Sequence, residues 1–470
     1  MTNVDRWRTS VTQRRARITR LAAVAAACLG VGAVVVVGTS IPPFSVPAAH
    51  AALGAGGEYH PVTPARVLDT RVANSPAAGA HRFLQPFDVL LAGANALDGT
   101  PSGIPASGVL AVVANITVVD PQQPGFLTAY PSGTSMPLAA NVNFAPGRNV
   151  PNLSLMRPGT NGAVSIALGP GHATGTAHVV IDVVGWFSTS SSGERGARLV
   201  SLAPGRILDT RNGTGRLGAL TQGESMRLQI RGADAVGPER PDYVPDTTDV
   251  TGVLLNVAAT EPTLPTHISV VPDQPVGSPS TASLNVSAGQ TKANLVMAPV
   301  GADGAVHLYN NSGAVHLVID VVGYFRTGVN DESRAGRIIP LSSPFRVLDT
   351  REPNFGSARL GPAQQEIWNF RPFVENVLSA GIWVGEQDAV IMNFTATDLT
   401  FPYPAGNATH MTLYPGGTTL PLAANINLLV NENVPNLVVA RLSDDDRLSV
   451  YNNSGFIHYV ADVAAVVLQD

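Results

Sequence analysis

The 470-residue sequence predicts an all-β protein built of three tandem homologous β-sandwich modules after a signal peptide. The first observation is a motif that occurs three times, each copy starting 140 residues after the one before. It reads PARVLDTR at 64–71, PGRILDTR at 204–211 and PFRVLDTR at 344–351. The second observation is that short runs of β-branched and aromatic residues end in Pro or Gly turns about every ten residues, as in sandwiches and barrels. A repeat of this length is large enough to be a domain.

The composition agrees with this fold class. Hydrophobic residues make up 44% of the chain and charged residues 13%, so each repeat can bury a core and disorder is not expected. The 46 glycines and 37 prolines favour many short strands joined by tight turns.

The first 51 residues have the order of a secretory signal peptide. A basic start precedes an apolar run from Leu21 to Val37, and Ala49-His50-Ala51 has the small-x-small pattern of a cleavage site. We therefore predict cleavage after Ala51 and a secreted, extracellular or cell-surface protein. An uncleaved membrane anchor is the alternative, because the run is only slightly shorter than a spanning helix.

Cleavage at this site would change both the charge and the chemistry of the chain. It would leave 23 basic and 33 acidic residues, a net charge of about −10. Such acidity does not suit nucleic acid or anionic membrane as a partner. Cleavage would also remove Cys28, the only cysteine, which excludes thiol catalysis and cysteine-based metal sites from the mature chain. Lys292 is the only lysine, a bias toward arginine that indicates a GC-rich genome rather than a function.

The repeats set the predicted domain boundaries. A signal peptide at 1–51 and a Gly/Ala-rich lead at 52–60 precede module 1 at 61–187, a flexible Ser/Gly linker at 188–198, module 2 at 199–325, a polar linker at 326–337 and module 3 at 338–470. Modules 1 and 2 close with DVVGWF at 182–187 and DVVGYF at 320–325. Module 3 departs from this pattern, with Ala464, Ala465 and Val466 in place of the Val-Gly-aromatic residues.

The LDTR motif near the start of each module and the DVVG-aromatic-Phe motif near its end resemble tandem β modules of exported actinobacterial proteins. The resemblance covers nearly all of residues 61–470. It implies secretion and a cell-surface or extracellular role, and it implies no settled activity.

Several polar residues recur at equivalent positions in the three copies. In a strand, positions four apart share a face, so the closing His178 and Asp182 are expected on the same side, as are their counterparts. One interpretation is a metal or acid–base site made from these groups. The other is a structural network, in which arginines pair bidentately with aspartates and recurring asparagines such as Asn115, Asn143 and Asn152 satisfy buried backbone groups.

We favour the network and predict no catalytic, cofactor-binding or metal-binding residues, because three identical active sites on one chain are unusual. Calcium stays an open alternative, since Asp and Asn supply oxygen ligands, although no EF-hand pattern is present. The predicted network consists of Arg66, Asp69, Arg71, Asp182, Arg206, Asp209, Arg211, Asp320, Arg346, Asp349, Arg351 and Asp462.

The sequence therefore predicts a non-catalytic structural or adhesion protein, with cell-wall polysaccharide or an extracellular protein as its partner. The alternative is a multivalent carbohydrate-binding protein of the cell wall, which an exposed aromatic row on each module would indicate. Its candidate residues are Tyr130, Tyr309, Tyr414 and Tyr451. A third hypothesis is a hydrolase that uses the repeated Asp and His, which would need a carboxyl pair in an open cleft.

Overall fold

The computed structural model describes residues 35–37, 56–169, 175–189, 193, 195–236, 243–329, 333–355, 358–371, 387–401 and 406–469. The predicted signal peptide and its cleavage site lie outside these residues, apart from strand β1 at Val35–Val37. All three repeats belong to one compact unit of the chain.

The prediction of an all-β protein is confirmed, because the described repeats are built from strands. The strands of the first repeat are β2 (Tyr59–Asp69), β3 (His81–Arg82), β4 (Phe87–Leu90), β5 (Val109–Val119), β6 (Gly125–Pro131), β7 (Val142–Phe144), β8 (Val150–Met156), β9 (Ala163–Leu168) and β10 (Thr176–Ser188). Those of the second are β11 (Arg198–Asp209), β12 (Ser225–Gln229), β13 (Val250–Thr260), β14 (Thr266–Val271), β15 (Leu284–Val286), β16 (Lys292–Pro299), β17 (Ala305–Asn310) and β18 (His316–Arg326). Those of the third are β19 (Ile338–Asp349), β20 (Gln364–Asn369), β21 (Gln387–Thr400), β22 (Ala408–Pro415), β23 (Ile426–Leu429), β24 (Val434–Arg441), β25 (Arg447–Asn452) and β26 (Phe456–Leu468), with a 3-10 helix at Pro353–Phe355.

The strands of every repeat form two antiparallel sheets in the same order. In the first repeat, one sheet runs β2-β10-β5-β8 and the other β4-β9-β6-β7, with β3 paired to β10. The second repeat has β11-β18-β13-β16 and β12-β17-β14-β15. The third has β19-β26-β21-β24, and its other sheet contains β20-β25-β22-β23 in that order. The opening motif therefore lies on an outer strand, directly beside the closing strand.

Each repeat has a hydrophobic core to which both of its sheets contribute. In the second repeat, this core contains Val253, Leu255 and Val257 of β13. They pack with Ile268 and Leu308, which belong to the other sheet. The first and third repeats have equivalent clusters.

A fourth hydrophobic cluster takes residues from all three repeats, and we call it the axial core. It includes Leu153 of β8, Leu295 of β16 and Leu437 of β24. The Tyr59 ring also belongs to it and stacks on Phe325 with the ring centroids 4.2 Å apart. The repeats therefore share apolar surface, and their strands β8, β16 and β24 contact one another.

Strand β13 shows why some strands read as continuous apolar runs. Val253, Leu255 and Val257 point into the core of their own repeat, whereas Leu254 between them belongs to the axial core. Successive strand residues face opposite sides, so a strand covered on both faces needs apolar residues at almost every position.

Candidate functional site

The recurring charged and amide residues form a row across three neighbouring strands of each repeat. In the first repeat, Asp182 on β10 is in register with Arg66 on β2 and with Asn115 on β5. The equivalent rows are Arg206, Asp320 and Asn256 in the second repeat, and Arg346, Asp462 and Asn393 in the third.

The arginine and the aspartate of each row form a bidentate pair. Arg66 Nε donates to Asp182 Oδ1 at 2.8 Å, and its Nη2 donates to Oδ2 at 3.1 Å. Arg206 and Arg346 make the same two bonds to Asp320 and Asp462. Burial alone would lower the pKa of Arg66, but its hydrogen bonds and its charge interaction with Asp182 raise that pKa above the ordinary value.

The second aspartate and arginine of the motif form another pair. Arg71 Nε and Nη2 donate to the two carboxylate oxygens of Asp69 at 2.8 and 2.7 Å, and Arg66 Nη1 lies 3.4 Å from the same carboxylate. Burial would raise the pKa of Asp69, but the hydrogen bonds and charge of Arg71 hold it below its usual value. Arg211 with Asp209 and Arg351 with Asp349 repeat this geometry. All twelve residues of the predicted network thus lie in ion pairs within their own repeat.

The closing histidine and aspartate go to different partners. His178 Nδ1 lies 3.0 Å from the hydroxyl of Thr70, which also accepts the backbone N–H of Val179. The pairs His316–Thr210 and His458–Thr350 are each 2.9 Å long. The residue that holds each histidine is therefore the threonine of the LDTR motif, while Asp182 and its counterparts bind arginine.

Each row also contacts the next repeat, and these contacts close a ring. Asn115 Nδ2 of the first repeat donates to the Ala282 carbonyl of the second at 2.7 Å. Asn256 donates in the same way to Ala424 of the third repeat, and Asn393 donates to Ala140 of the first. The same loop residues donate their backbone N–H groups back to the row, as Ala140 does to Asp462 Oδ2 at 3.3 Å.

A second set of asparagines lies inside this ring. Asn294 Nδ2 donates to Asn115 Oδ1 at 3.1 Å and to the Ser283 carbonyl at 2.7 Å, and its Oδ1 accepts the Leu153 N–H at 3.3 Å. Asn152 and Asn436 make the equivalent bonds around the ring. All three are buried, and each hydrogen-bonds to a residue of another repeat.

The recurrence of these asparagines marks them as buried hydrogen-bonding residues in the sequence. It carries no signal that their partners belong to another repeat, because 140-residue periodicity is equally compatible with separate modules. Only the fold brings β8, β16 and β24 together.

The starts of the repeats are tied together by an acidic residue that the sequence analysis did not single out. Glu58 lies in the predicted lead, and its carboxylate accepts from Arg198 Nε at 3.0 Å, Arg337 Nη2 at 3.1 Å and the Gly196 N–H at 3.0 Å. Burial would raise the pKa of Glu58, but these donors hold it below the usual value. The described ends of both predicted linkers are therefore bound to the residue that directly precedes strand β2.

A cavity of about 820 Å³ is lined by all three repeats, and we call it the shared cavity. Three equivalent positions that begin β8, β16 and β24 line it, occupied by Val150, Lys292 and Val434. Two residues earlier in the sequence, the equivalent positions differ in charge, with Arg148, Gln290 and Glu432. The repeats are thus equivalent in fold but chemically distinct at this cavity.

Lys292 is the buried cation of the shared cavity, with an exposed fraction of 8%. Burial lowers its pKa to about 8; the charge of Glu432 acts in the opposite direction, and Arg148 lowers the pKa further. In the sequence, Lys292 stands out only as the sole lysine. The signal that could have found it was the alignment of the repeats, in which it replaces valine.

The tyrosines named for a sugar-stacking row lie mostly inside the protein. Tyr130 and Tyr309 are 7% exposed and Tyr414 is 1% exposed, whereas Tyr451 is half-buried. The Tyr414 hydroxyl donates to Gln365. These residues pack on strands and do not form an exposed aromatic row.

Neither a membrane-spanning helix nor a metal-binding cluster occurs among the described residues. None of their helices has both the length and the hydrophobicity that crossing a membrane requires. Nowhere in the described ranges do three or more His, Cys, Asp or Glu residues come together as a group able to hold a metal ion.

Comparison with protein-family models gave no match, and comparison with curated proteins gave none either. Among solved structures, the chain is similar to the N-terminal CBM22-1–CBM22-2 tandem domain of Paenibacillus barcinonensis Xyn10C, at 10% identity over 57% of this chain and 99% of that one, with a TM-score of 0.17. It is also similar to an archaeal virus protein described as a triple jelly roll fold with turret assembly, at 8% identity over 88% of this chain and 90% of that one, with a TM-score of 0.15. A structure of Sulfolobus Turreted Icosahedral Virus matches at 8% identity over 88% and 92% of the two chains, with a TM-score of 0.15. TM-scores this low support no inference about fold or function.

Proposed function

We propose that the protein is a secreted or cell-surface structural or adhesion protein without catalytic activity. In this proposal each repeat is a two-sheet β-sandwich module, and the three modules act as one rigid body. The observation that carries it is the closed ring of contacts between the repeats. The recurring polar residues form the ion pairs and hydrogen bonds that hold the modules and the ring together, so in this proposal they do not act on a substrate.

The burial of the repeated carboxylates supports the non-catalytic part of the proposal. Asp69 and Asp182 are 3% and 2% exposed, and both interact with Arg66. A glycoside hydrolase needs a pair of carboxyl groups that a sugar can reach from both sides, and these two are enclosed by arginine and backbone.

The shared axial core supports the rigid-body part. Independent modules on flexible linkers would gain avidity through effective concentration, which depends on linker length. Here the repeats bury apolar side chains against one another, so any surface sites are held at fixed distances instead.

Carbohydrate binding is the second candidate function. It is supported by the shared cavity, whose lining includes the side-chain amides of Asn143, Asn149, Asn285 and Asn433. An amide group both donates and accepts hydrogen bonds, so it can bind the hydroxyl groups of a sugar. An aromatic row does not support it, because Tyr130, Tyr309 and Tyr414 are buried.

One sedimentation experiment tests these proposals together. The purified protein is incubated with isolated actinobacterial cell walls and with a panel of insoluble polysaccharides, with and without calcium. Saturable sedimentation without release of soluble sugar is expected. Release of reducing sugar would overturn the non-catalytic proposal, and binding to protein-stripped polysaccharide would favour the carbohydrate alternative. Failure to bind any wall preparation would refute a wall-adhesion role, and calcium-dependent binding would favour the calcium alternative.

A further inference from the structure

The shared cavity contains a buried cation that the fold does not require. Lys292 is more than nine-tenths buried, and the equivalent positions of the other two repeats are Val150 and Val434. Among the described residues, its ammonium group has no hydrogen bond and no ion pair. Burying an unpaired ammonium group is costly, and the valine found in the other repeats would avoid this cost.

The other charged residues that line the cavity are already engaged or lie at its exposed edge. Arg148 forms an ion pair with Glu432. Glu432 also accepts Gln290 Nε2 at 3.2 Å and the Leu429 N–H at 3.0 Å. Glu432 therefore attracts Lys292 without forming a direct bond to it.

The remaining two titratable groups at the cavity are Asp120 and His267. Asp120 is exposed, and its charge acts on Arg71, whose pKa it helps to raise. Burial lowers the pKa of His267, which favours its neutral form. Neither group supplies Lys292 with a counter-ion.

Two amide groups lining the cavity have their oxygens engaged. Asn149 Oδ1 accepts the Asp120 N–H at 3.2 Å, and Asn433 Oδ1 accepts the hydroxyl of Thr397. Their NH₂ groups have no acceptor among the described residues and are available as donors at the same cavity. The cavity therefore combines an ammonium group with neutral N–H donors.

We propose that the shared cavity binds a small hydroxylated oxyanion, whose carboxylate or phosphate group pairs with Lys292. A cavity of about 820 Å³ is in the range of small-molecule sites. An anionic group would supply the charge-assisted hydrogen bonds that Lys292 lacks, and the hydroxyl groups would accept from Asn149 and Asn433. A neutral sugar would leave the buried ammonium group unpaired and would bind less tightly.

Isothermal titration calorimetry near neutral pH tests this proposal with glucuronate, inorganic phosphate and neutral glucose as probes. At least one anion is expected to bind more tightly than glucose. Lys292→Met, which keeps much of the length of the side chain and removes its charge, should weaken that binding by about 10-fold or more. The matched control Arg227→Met removes an exposed cation outside the cavity and should leave binding unchanged. Preference for glucuronate would identify a carboxylate ligand, and preference for phosphate a phosphorylated one.

A second measurement keeps the proposal testable if the methionine variant folds poorly. Lys292→Val introduces the residue found in both other repeats and should also abolish anion binding. Because Lys292 is the only lysine, reductive ¹³C-methylation labels it and the N-terminal amine alone. The bound anion should move the Lys292 resonance and raise its titration midpoint. Absence of binding by both anions, or equal affinity in the wild type and in the folded valine variant, would overturn the proposal. It does not depend on wall binding, so the two proposals can fail separately.

Discussion

Replacing Lys292 with valine should stabilise the protein, and the gain should depend on pH. Burial lowers the pKa of Lys292 from 10.5 to about 8. Since each pKa unit corresponds to about 1.4 kcal/mol, the buried charge costs about 3 kcal/mol at pH values below the folded-state pKa. Valine carries no such cost and is already accommodated at the equivalent positions, as Val150 and Val434.

The direction of the pH dependence follows from proton linkage. The folded-state pKa lies below the unfolded one, so between about pH 8 and 10.5 the unfolded chain binds more protons. The wild type should therefore gain stability as pH rises through this window, and the advantage of Lys292→Val should shrink by about 3 kcal/mol. Below this window the advantage should be constant. The charged neighbours Glu432, Arg148 and Asp120 are common to both proteins, so their effects largely cancel in the difference.

Urea denaturation of both proteins from about pH 6.5 to 10.5, with no anionic ligand present, measures this difference in unfolding free energy. Arg227→Met serves as the control, because it removes an exposed guanidinium group and should give a difference that does not vary with pH. A Lys292→Val advantage that stays flat across the whole range would refute the reasoning, since it would mean that Lys292 titrates normally in the folded protein.

Three further changes test the contacts that hold the repeats together. Asn294→Ala leaves the Leu153 N–H, the Ser283 carbonyl and Asn115 Oδ1 without their partner, so it should lower the unfolding free energy by about 3 kcal/mol or more in chemical denaturation, whereas the exposed Asn74→Ala should have little effect. Asp320→Ala removes both acceptors of the bidentate pair and leaves the buried Arg206 with only its longer contact to Asp209, at 3.6 Å, so it should cost about 3–5 kcal/mol. Asp303→Ala in an exposed pair should change stability little, and equal losses in the two variants would contradict the assignment. Gly185→Ala would place a Cβ 2.4 Å from the Tyr59 ring, so it should lower the unfolding free energy by about 1–3 kcal/mol, which thermal denaturation would measure. If the same loss occurs in a Tyr59→Ala background, the clash with the Tyr59 ring is not its cause.

The sequence by itself determined the all-β fold class and the threefold repeat. β-branched runs, turn residues and a 140-residue period predict β repeats because these signals act over neighbouring residues. The sequence also predicts that the recurring arginines pair with the recurring aspartates, because buried charges need partners, but it does not say that Arg66 pairs with Asp182. The reason for the glycine in the DVVG motif of the first repeat becomes clear only from the fold. The Tyr59 ring, which leaves no room for a side chain at Gly185, is far from it in the sequence.

Only the tertiary structure decided how the repeats meet. The amide of Asn115 could have bonded within its own repeat, and it bonds to Ala282 of the next one because β8, β16 and β24 pack around a common core. The same packing places Lys292, the only lysine of the sequence, as a buried cation at the shared cavity. Periodicity shows only what the three copies have in common. The chemistry of the cavity depends on equivalent positions at which the copies differ, such as Arg148, Gln290 and Glu432, and on the distances between these residues. Those distances arise from contacts between residues of different repeats, which local sequence patterns do not encode.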